Sequence, residues 1–432
     1  MHIEDTIPHS FLSRLVNEAR SKQILRYYLI IIPILWIVLF FSYYSWRIGF
    51  DFGDRFALTL WIAQDIIMVL MIVLSAIFMR RMIRESRSEL DDIHPKFDSL
   101  THVVLLPCYN EPPSVLMATL DALVAQSVAD RLIVVMSFEE SSPDLDETRR
   151  TLEAKHRESF RAFHITIHPA GIPGEIRGKC SNARWTVKSA LEWTRSENIQ
   201  LDMATTTLTS MDSDTILHRR YFEVLGDKFL RAGDDRVYST VWQGGLFYNF
   251  GLDRSLFFTR VTGLLRTIWM IGFNIPLQSH SMSVSSYSLK LCCDNNLFDP
   301  TYQMDDMHFF VKSMVTRRGK VWLKPIYLPV ICGPTSGNSF SEELREWARQ
   351  ARRWSIGAFE IFHYVVSERR NLGYLSTLRL CATILLLYGL FQTIMFASTI
   401  VASPIWHYTQ WHAGNDHLIW YAVSVIPWLF IT

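Results

Sequence analysis

The chain has 432 residues, with 43 Lys+Arg against 42 Asp+Glu, and is 49% hydrophobic and 13% aromatic. A formal charge of +1 excludes the strongly basic surface of a nucleic-acid binder. The apolar content and positive mean hydropathy exclude a disordered chain and argue against an ordinary soluble enzyme.

Residues 1–26 form an N-terminal segment that ends at Arg26. Tyr27–Trp46 is an uncharged apolar run. At 1.5 Å per residue it reaches roughly 30 Å, the thickness of a hydrocarbon core. Its position, its length and the lack of a small-residue cleavage site set it apart from a cleaved signal. A second run, Phe56–Met79, is broken only by Asp65. An ionisable residue there is either a polar contact to a neighbouring helix or a station on a transport path. A third run extends from Arg379 to about Trp406, and a fourth from His417 to Thr432. The fourth is short for a span, which implies a tilted helix or a chain that continues. Arg14, Arg20, Lys22 and Arg26 precede the first run, Arg80, Arg81, Arg84 and Arg87 follow the second, and Arg369, Arg370 and Arg379 precede the third. Basic flanks stay cytoplasmic, so the body between the runs is expected in the cytosol, at the plasma membrane or an endomembrane. The absence of any CxxC pair or N-x-S/T acceptor agrees with a reducing compartment. The expected organisation is a cytosolic segment over 1–26, two spans within 27–79, an α/β domain over 98–340, an amphipathic interfacial helix region over 341–375, and two spans within 380–432.

Within the body, His102–Pro107 (HVVLLP), Arg131–Met136 (RLIVVM), Thr205–Met211 (TTTLTSM) and Val321–Leu328 (VWLKPIYL) read as strands, and Ser114–Ala125 has helical spacing between the first two. Ser141–Arg161 is charged and reads as a surface helix. Ser255–Leu277 is apolar apart from Arg260 and Arg266 and suits a membrane surface. Alternating strands and helices imply a mostly parallel sheet covered on both faces, with ligands bound beyond the carboxyl ends of the strands.

The residues at those strand ends carry the chemistry. After the first strand comes Pro107-Cys108-Tyr109-Asn110-Glu111-Pro112, and after the second Ser137-Phe138-Glu139-Glu140. Asp212-Ser213-Asp214 follows the third. Carboxylates one residue apart suit a hard divalent cation, Mg2+ or Mn2+. The alternative is that Asp214 or Thr215 caps a helix starting near Ile216. In Tyr302-Gln303-Met304-Asp305-Asp306-Met307-His308 the adjacent acids are either caps or include a general base. His308 reads either as a metal ligand or as a hydrogen-bonded core residue. Leu344, Trp347, Ala351, Trp354 and Ala358 step by three and four along an amphipathic helix, which makes Gln350, Arg353 and Trp354 neighbours. That patch offers either a phosphate clamp beside a sugar-stacking indole, or a membrane-surface helix with snorkelling arginines.

Taken in order, PxYNE, a carboxylate after the second strand, Gly178-Lys179, D-x-D, a paired acid and Q-x-x-R-W before returning apolar runs resemble the membrane-embedded family-2 glycosyltransferases, the group of cellulose, chitin and hyaluronan synthases and ceramide glucosyltransferase. The resemblance covers roughly residues 98–360. It implies an α/β GT-A domain flanked by transmembrane helices, performing inverting transfer from a nucleotide-sugar donor to a polysaccharide or a lipid acceptor. Uridine donors are the default and guanosine donors the alternative. It places Tyr109 and Glu111 by the nucleobase or ribose, Lys179 by the donor phosphates, Asp212 on the donor and Asp214 on the metal. Asp306 takes the catalytic-base position beside Asp305. Gln350 and Arg353 bind the donor pyrophosphate, and Trp354 the acceptor sugar. The chain departs from the family pattern in three ways. Glu139 or Glu140 stands where the family has an aspartate, Asp305 stands where it has a glutamate, and no match to the gating-loop motif of bacterial cellulose synthase follows Trp354. A relative that binds the donor without catalysis is the competing expectation.

Overall fold

The computed structural model describes residues 50–91, 93–248, 257–333 and 339–384. The expected spans over 27–46 and 417–432 lie outside the described residues, as does the third beyond residue 384. The second falls on helix α1, Phe50–Asp91, with the side chain of Asp65 outside the description. Among the described residues, no helix is long and apolar enough to cross a membrane.

After α1 the chain lays down β1 (Thr101–Cys108), α2 (Pro113–Val124), β2 (Leu132–Glu139), α3 (Leu145–His156), β3 (Ala162–His168), α4 (Lys179–Ser196), β4 (Thr206–Ser210) and β5 (Thr215–Leu217). It continues with α5 (Tyr221–Arg231), β6 (Thr240–Phe247), α6 (Phe257–Trp269), β7 (Ser285–Ser288), α7 (Leu289–Asp294), α8 (Asp306–Thr316), β8 (Trp322–Cys332), α9 (Phe340–Ser367) and α10 (Tyr374–Ile384). The sheet order is β3-β2-β1-β4-β7-β6-β8-β5. Strands β3, β2, β1 and β4 are parallel, β7 runs antiparallel to both β4 and β6, and β6 pairs parallel with β8.

The near-continuous apolar runs in β1 and β2 follow from burial on both faces. Val104 and Leu106 of β1 pack with Leu116 and Leu120 of α2, while Val103 and Leu105 pack on the other face with Cys180, Ala183 and Val187 of α4. Strands β2 and β3 are added to one side of β1 with α2 and α3 on one face. The chain then returns through α4 on the opposite face to place β4 on the other side of β1. The carboxyl ends of β1 and β4 therefore flank the point where the winding reverses, the crevice in which such sheets hold ligands.

The structure corrects several local expectations. No helix begins near Ile216. Residues 215–217 form β5, which pairs antiparallel with the end of β8 through Thr215↔Cys332 and Leu217↔Val330, so Asp214 and Thr215 are not helix caps. Strands β6 and β7, TVWQGGLF and SSYS, escape a reading based on propensity because glycine and serine are weak strand formers. They persist because β4 and β8 flank them and fully buried Trp242 and Tyr287 anchor them. The segment expected at a membrane surface, Ser255–Leu277, instead buries Met270, Ile271 and Asn274 in the fold after α6. On α9 the expected stripe is displaced. Leu344 is exposed, whereas Gly357, Ala358, Glu360, Ile361, Tyr364 and Val365 form the buried face.

Candidate active site

Lys179, the first residue of α4, is the centre of the site. Its ammonium contacts Asp212 Oδ1, just past β4, and lies 3.3 Å from Asp305 Oδ2 at the start of α8. A cation at a helix N-terminus opposes the helix dipole, so these carboxylates are what hold it there. Burial alone would lower the pKa of Lys179. The charges of Asp212, Asp305 and Asp306 outweigh it and raise the pKa well above the ordinary lysine value. Burial opposes ionisation of Asp212, but the Lys179 charge prevails and lowers its pKa, helped by hydrogen bonds from Lys179 and Ser283 and by the charge of Arg353.

Neither acid of the pair acts as the expected helix cap. Asp305, almost wholly buried, makes no cap hydrogen bond and faces Lys179. Asp306 accepts from the backbone N–H of Ser283 (2.6 Å) at Oδ2 and from that of Met307 (2.6 Å) at Oδ1. Burial, then the neighbouring charge of Asp305, pushes the pKa of Asp306 up from 3.8 to about 6, which suits a general base near neutrality.

Asp214 is fixed by β5. Its carbonyl accepts from the Gly333 N–H (3.2 Å), extending the β5–β8 ladder. Its carboxylate lies so close over Gly333 that a Cβ there would sit 2.8 Å from Oδ2, which only glycine avoids. Burial, then the charges of Asp212 and Glu111, raises the pKa of Asp214 to about 7. A divalent cation beside Asp214 would offset the negative charges that raise its pKa. Among the described residues no group of three or more metal-ligating side chains is gathered.

The structure does not bring every expected residue to this centre. Glu111 turns back to accept from the Tyr109 N–H (2.7 Å), although its charge acts on Asp214. Tyr109 is half exposed, with the Arg177 guanidinium 5.5 Å from its ring centroid, and Arg177 also donates to Ser141 past β2. Arg177 carried no motif and was missed in the sequence. Glu139 is buried and pairs with His168 Nδ1 (3.1 Å), whose Nε2 meets Glu175 (3.0 Å). Glu140 is exposed and accepts from the Ala170 N–H (2.8 Å). Both of these carboxylates are thus engaged at the β3 side of the fold. His308 fits neither of its expectations. It is fully buried, both ring nitrogens lack a partner among the described residues, and burial lowers its pKa to about 3. It serves as an aromatic spacer stacked 4.0 Å from Tyr302, with Tyr364 of α9 edge-on.

Helix α9 reaches the site by close docking on the segment before α8. Glu360 accepts from the Gln303 N–H (3.0 Å), and a Cβ on Gly357 would lie 2.9 Å from Met304 Cβ, so glycine sets the approach. That approach carries Gln350, Arg353 and Trp354, one to two turns earlier on the helix. Trp354 connects to the acids through residues that no motif marked. The Arg266 guanidinium lies 4.5 Å from the Trp354 ring centroid and 3.7 Å from that of Tyr248. The Tyr248 hydroxyl is 3.1 Å from Ser283 Oγ. Ser283, which contacts both Asp212 and Asp306, has φ +49°, a left-handed conformation uncommon for serine and frequent at functional sites. Arg266 left one trace in the sequence, a charge inside an apolar helix. Ser283 left none.

Neither a protein-family model nor a curated protein sequence matches the chain. Among solved structures it is similar to the mannosyltransferase PcManGT from Pyrobaculum calidifontis in complex with GDP-Man and Mn2+, at 14% identity over 83% of this chain and 98% of that one, with a TM-score of 0.43. It is also similar to S. aureus TarS, at 15% identity over 60% of this chain and 43% of that one (TM-score 0.36), and to TarS 1-349 in complex with UDP, at 16% identity over 63% and 74% (TM-score 0.36).

Proposed function

We propose that the chain is a membrane-bound inverting glycosyltransferase that moves a sugar from a nucleoside-diphosphate donor to a growing polysaccharide at the cytosolic face. The observation that carries the reading is the convergence of Lys179, Asp212, Asp305 and Asp306, from three distant stretches of sequence, with Asp214 beside them, at the crevice beyond β1 and β4. One lysine among carboxylates of opposed titration behaviour suits a site that binds phosphate and also removes a proton. Basic flanks and apolar runs support the membrane placement, with 98–340 as the catalytic body.

In this reading the donor pyrophosphate lies by Lys179, Gln350 and Arg353, and its nucleoside by Tyr109 and Glu111. Asp212 meets the donor, and Asp214 would hold Mg2+ or Mn2+, which would neutralise charge on the diphosphate. Asp306 takes the proton of an acceptor hydroxyl, and that oxygen attacks the anomeric carbon from the face opposite the diphosphate. The bond from that carbon to the β-phosphate oxygen breaks, and the electron pair leaves with the diphosphate, whose charge Lys179 and Arg353 meet. Asp305 keeps Lys179 in place and its own charge raises the proton affinity of Asp306.

The test is to incubate membranes containing the protein with a panel of labelled nucleotide sugars and Mn2+. Released nucleoside diphosphate together with a size ladder of product supports the reading. A single lipid-soluble product replaces the polysaccharide with a lipid acceptor. No diphosphate from any donor refutes catalysis and leaves a binding scaffold.

A further inference from the structure

Arg266 offers a binding element that the D-x-D, paired-acid and Q-x-x-R-W motifs do not account for. Its guanidinium lies against two aromatic rings, Tyr248 and Trp354, and among the described residues it makes no hydrogen bond or ion pair. An arginine presents five N–H donors in a planar fork that matches phosphate oxygens, and stacking on ring faces fixes that plane while leaving its edge free. The surroundings are those of the acid cluster. The buried Cys332 thiol is influenced by Asp214, Asp212 and Arg266 together, and Tyr248 bonds to Ser283, which in turn bonds to Asp306. Nearby carboxylates without a direct pair to Arg266 attract it to the site without consuming its donors.

We propose that Arg266 binds the diphosphate of the donor as a second guanidinium beside Arg353, and that Trp354 acts by stacking on Arg266 and orienting it. The inference rests on the nucleotide-sugar reading above and adds to it a phosphate-binding residue and a changed role for Trp354. With Arg266 against its indole, Trp354 is a positioning residue, and the face it shares with Arg266 is not an open platform for a sugar ring. Tyr248 also lies against the guanidinium, so two rings restrain the fork when the diphosphate leaves. The same arrangement lets the charge that develops on the leaving group meet donors already in place, with no reorganisation.

The experiment is calorimetric titration of the full chain in detergent with UDP and UMP, and with GDP and GMP, in the presence of Mn2+. The diphosphate-to-monophosphate affinity ratio is compared among wild type, Arg266→Gln, Arg266→Lys, Trp354→Phe and Trp354→Ala. Arg266→Gln is expected to cut the diphosphate preference about tenfold or more, the effect of losing a charge-assisted hydrogen bond, while monophosphate affinity stays within about twofold. Arg266→Lys is expected to recover part of the preference. Trp354→Phe is expected to keep most of it and Trp354→Ala to lose it, because only an aromatic ring holds the fork. An unchanged ratio in Arg266→Gln overturns the proposal while leaving the nucleotide-sugar reading standing. Equal loss of mono- and diphosphate binding also overturns it, by showing a role in the fold only. Failure of the wild type to bind any of the four nucleotides overturns both.

Discussion

Replacing Asp306 with asparagine isolates proton removal from the rest of the site. The structure gives the magnitude on two axes. On rate, a positioned general base contributes about 10²–10⁴-fold, so Asp306→Asn is expected to lower kcat by that factor while donor affinity changes little. On stability, the carboxyl is raised from 3.8 to about 6 by burial and by Asp305. At 1.36 kcal/mol per unit, ionising it in the folded protein costs roughly 3 kcal/mol. The sign follows from the direction of the shift. The folded state holds this proton more tightly than the unfolded chain, so the group favours the fold at low pH, and that contribution disappears as the pH rises from about 4 through about 6. At pH 7.5 the asparagine removes the penalty. It keeps one acceptor for the two N–H groups of Ser283 and Met307 and gives up about 1 kcal/mol for the other. The variant should therefore melt at or slightly above the wild-type temperature while being nearly inactive. For the wild type, kcat/KM should fall about tenfold per unit below pH 6, because the base must be ionised. Both are read by diphosphate release between pH 5 and 8, alongside thermal melts. A variant that keeps more than a tenth of the activity, or a wild-type kcat/KM that is flat from pH 5 to 7, would refute Asp306 as the base.

Three further outcomes follow from the packing. Asp214→Asn should abolish the Mn2+ dependence of donor binding, and chelation should weaken donor binding by the wild type to the level of the variant; calorimetry with and without chelator checks both, and a wild type indifferent to chelator removes the metal role. Gly357→Val should force α9 off Met304, costing about 1–3 kcal/mol from overpacking and displacing Arg353 and Trp354; donor KM and Tm measured together test this, and a variant with native KM would refute the docking argument. Burial works to lower the pKa of His168, but its bonds to Glu139 and Glu175 outweigh this and raise it above 6.5. The stability it contributes is therefore complete below pH 6.5 and is lost as the pH climbs through the raised value. His168→Gln should flatten the Tm profile on the alkaline side of pH 6.5, and an unchanged profile would exclude the pairing.

The primary structure was enough to locate the strands whose burial is two-sided, because β1 and β2 carry apolar residues at nearly every position and both alternating sets are needed for packing. It also marked Asp212 and Asp214 as carboxylates just beyond a strand and Asp305 and Asp306 as adjacent acids before a helix, whereas Lys179 was marked only by the resemblance of the motif order. The partnerships were decided only in three dimensions. Whether Asp214 capped a helix or anchored a strand depended on the distant end of β8 and on Gly333. The direction in which Glu139 faces depended on His168, and the neighbour of Trp354 on an arginine from α6. Local sequence carries the hydrophobic period of a strand because that period repeats every two residues. The pairing of a buried charge has no period, since it joins residues that become neighbours only once the sheet and its covering helices have closed around them.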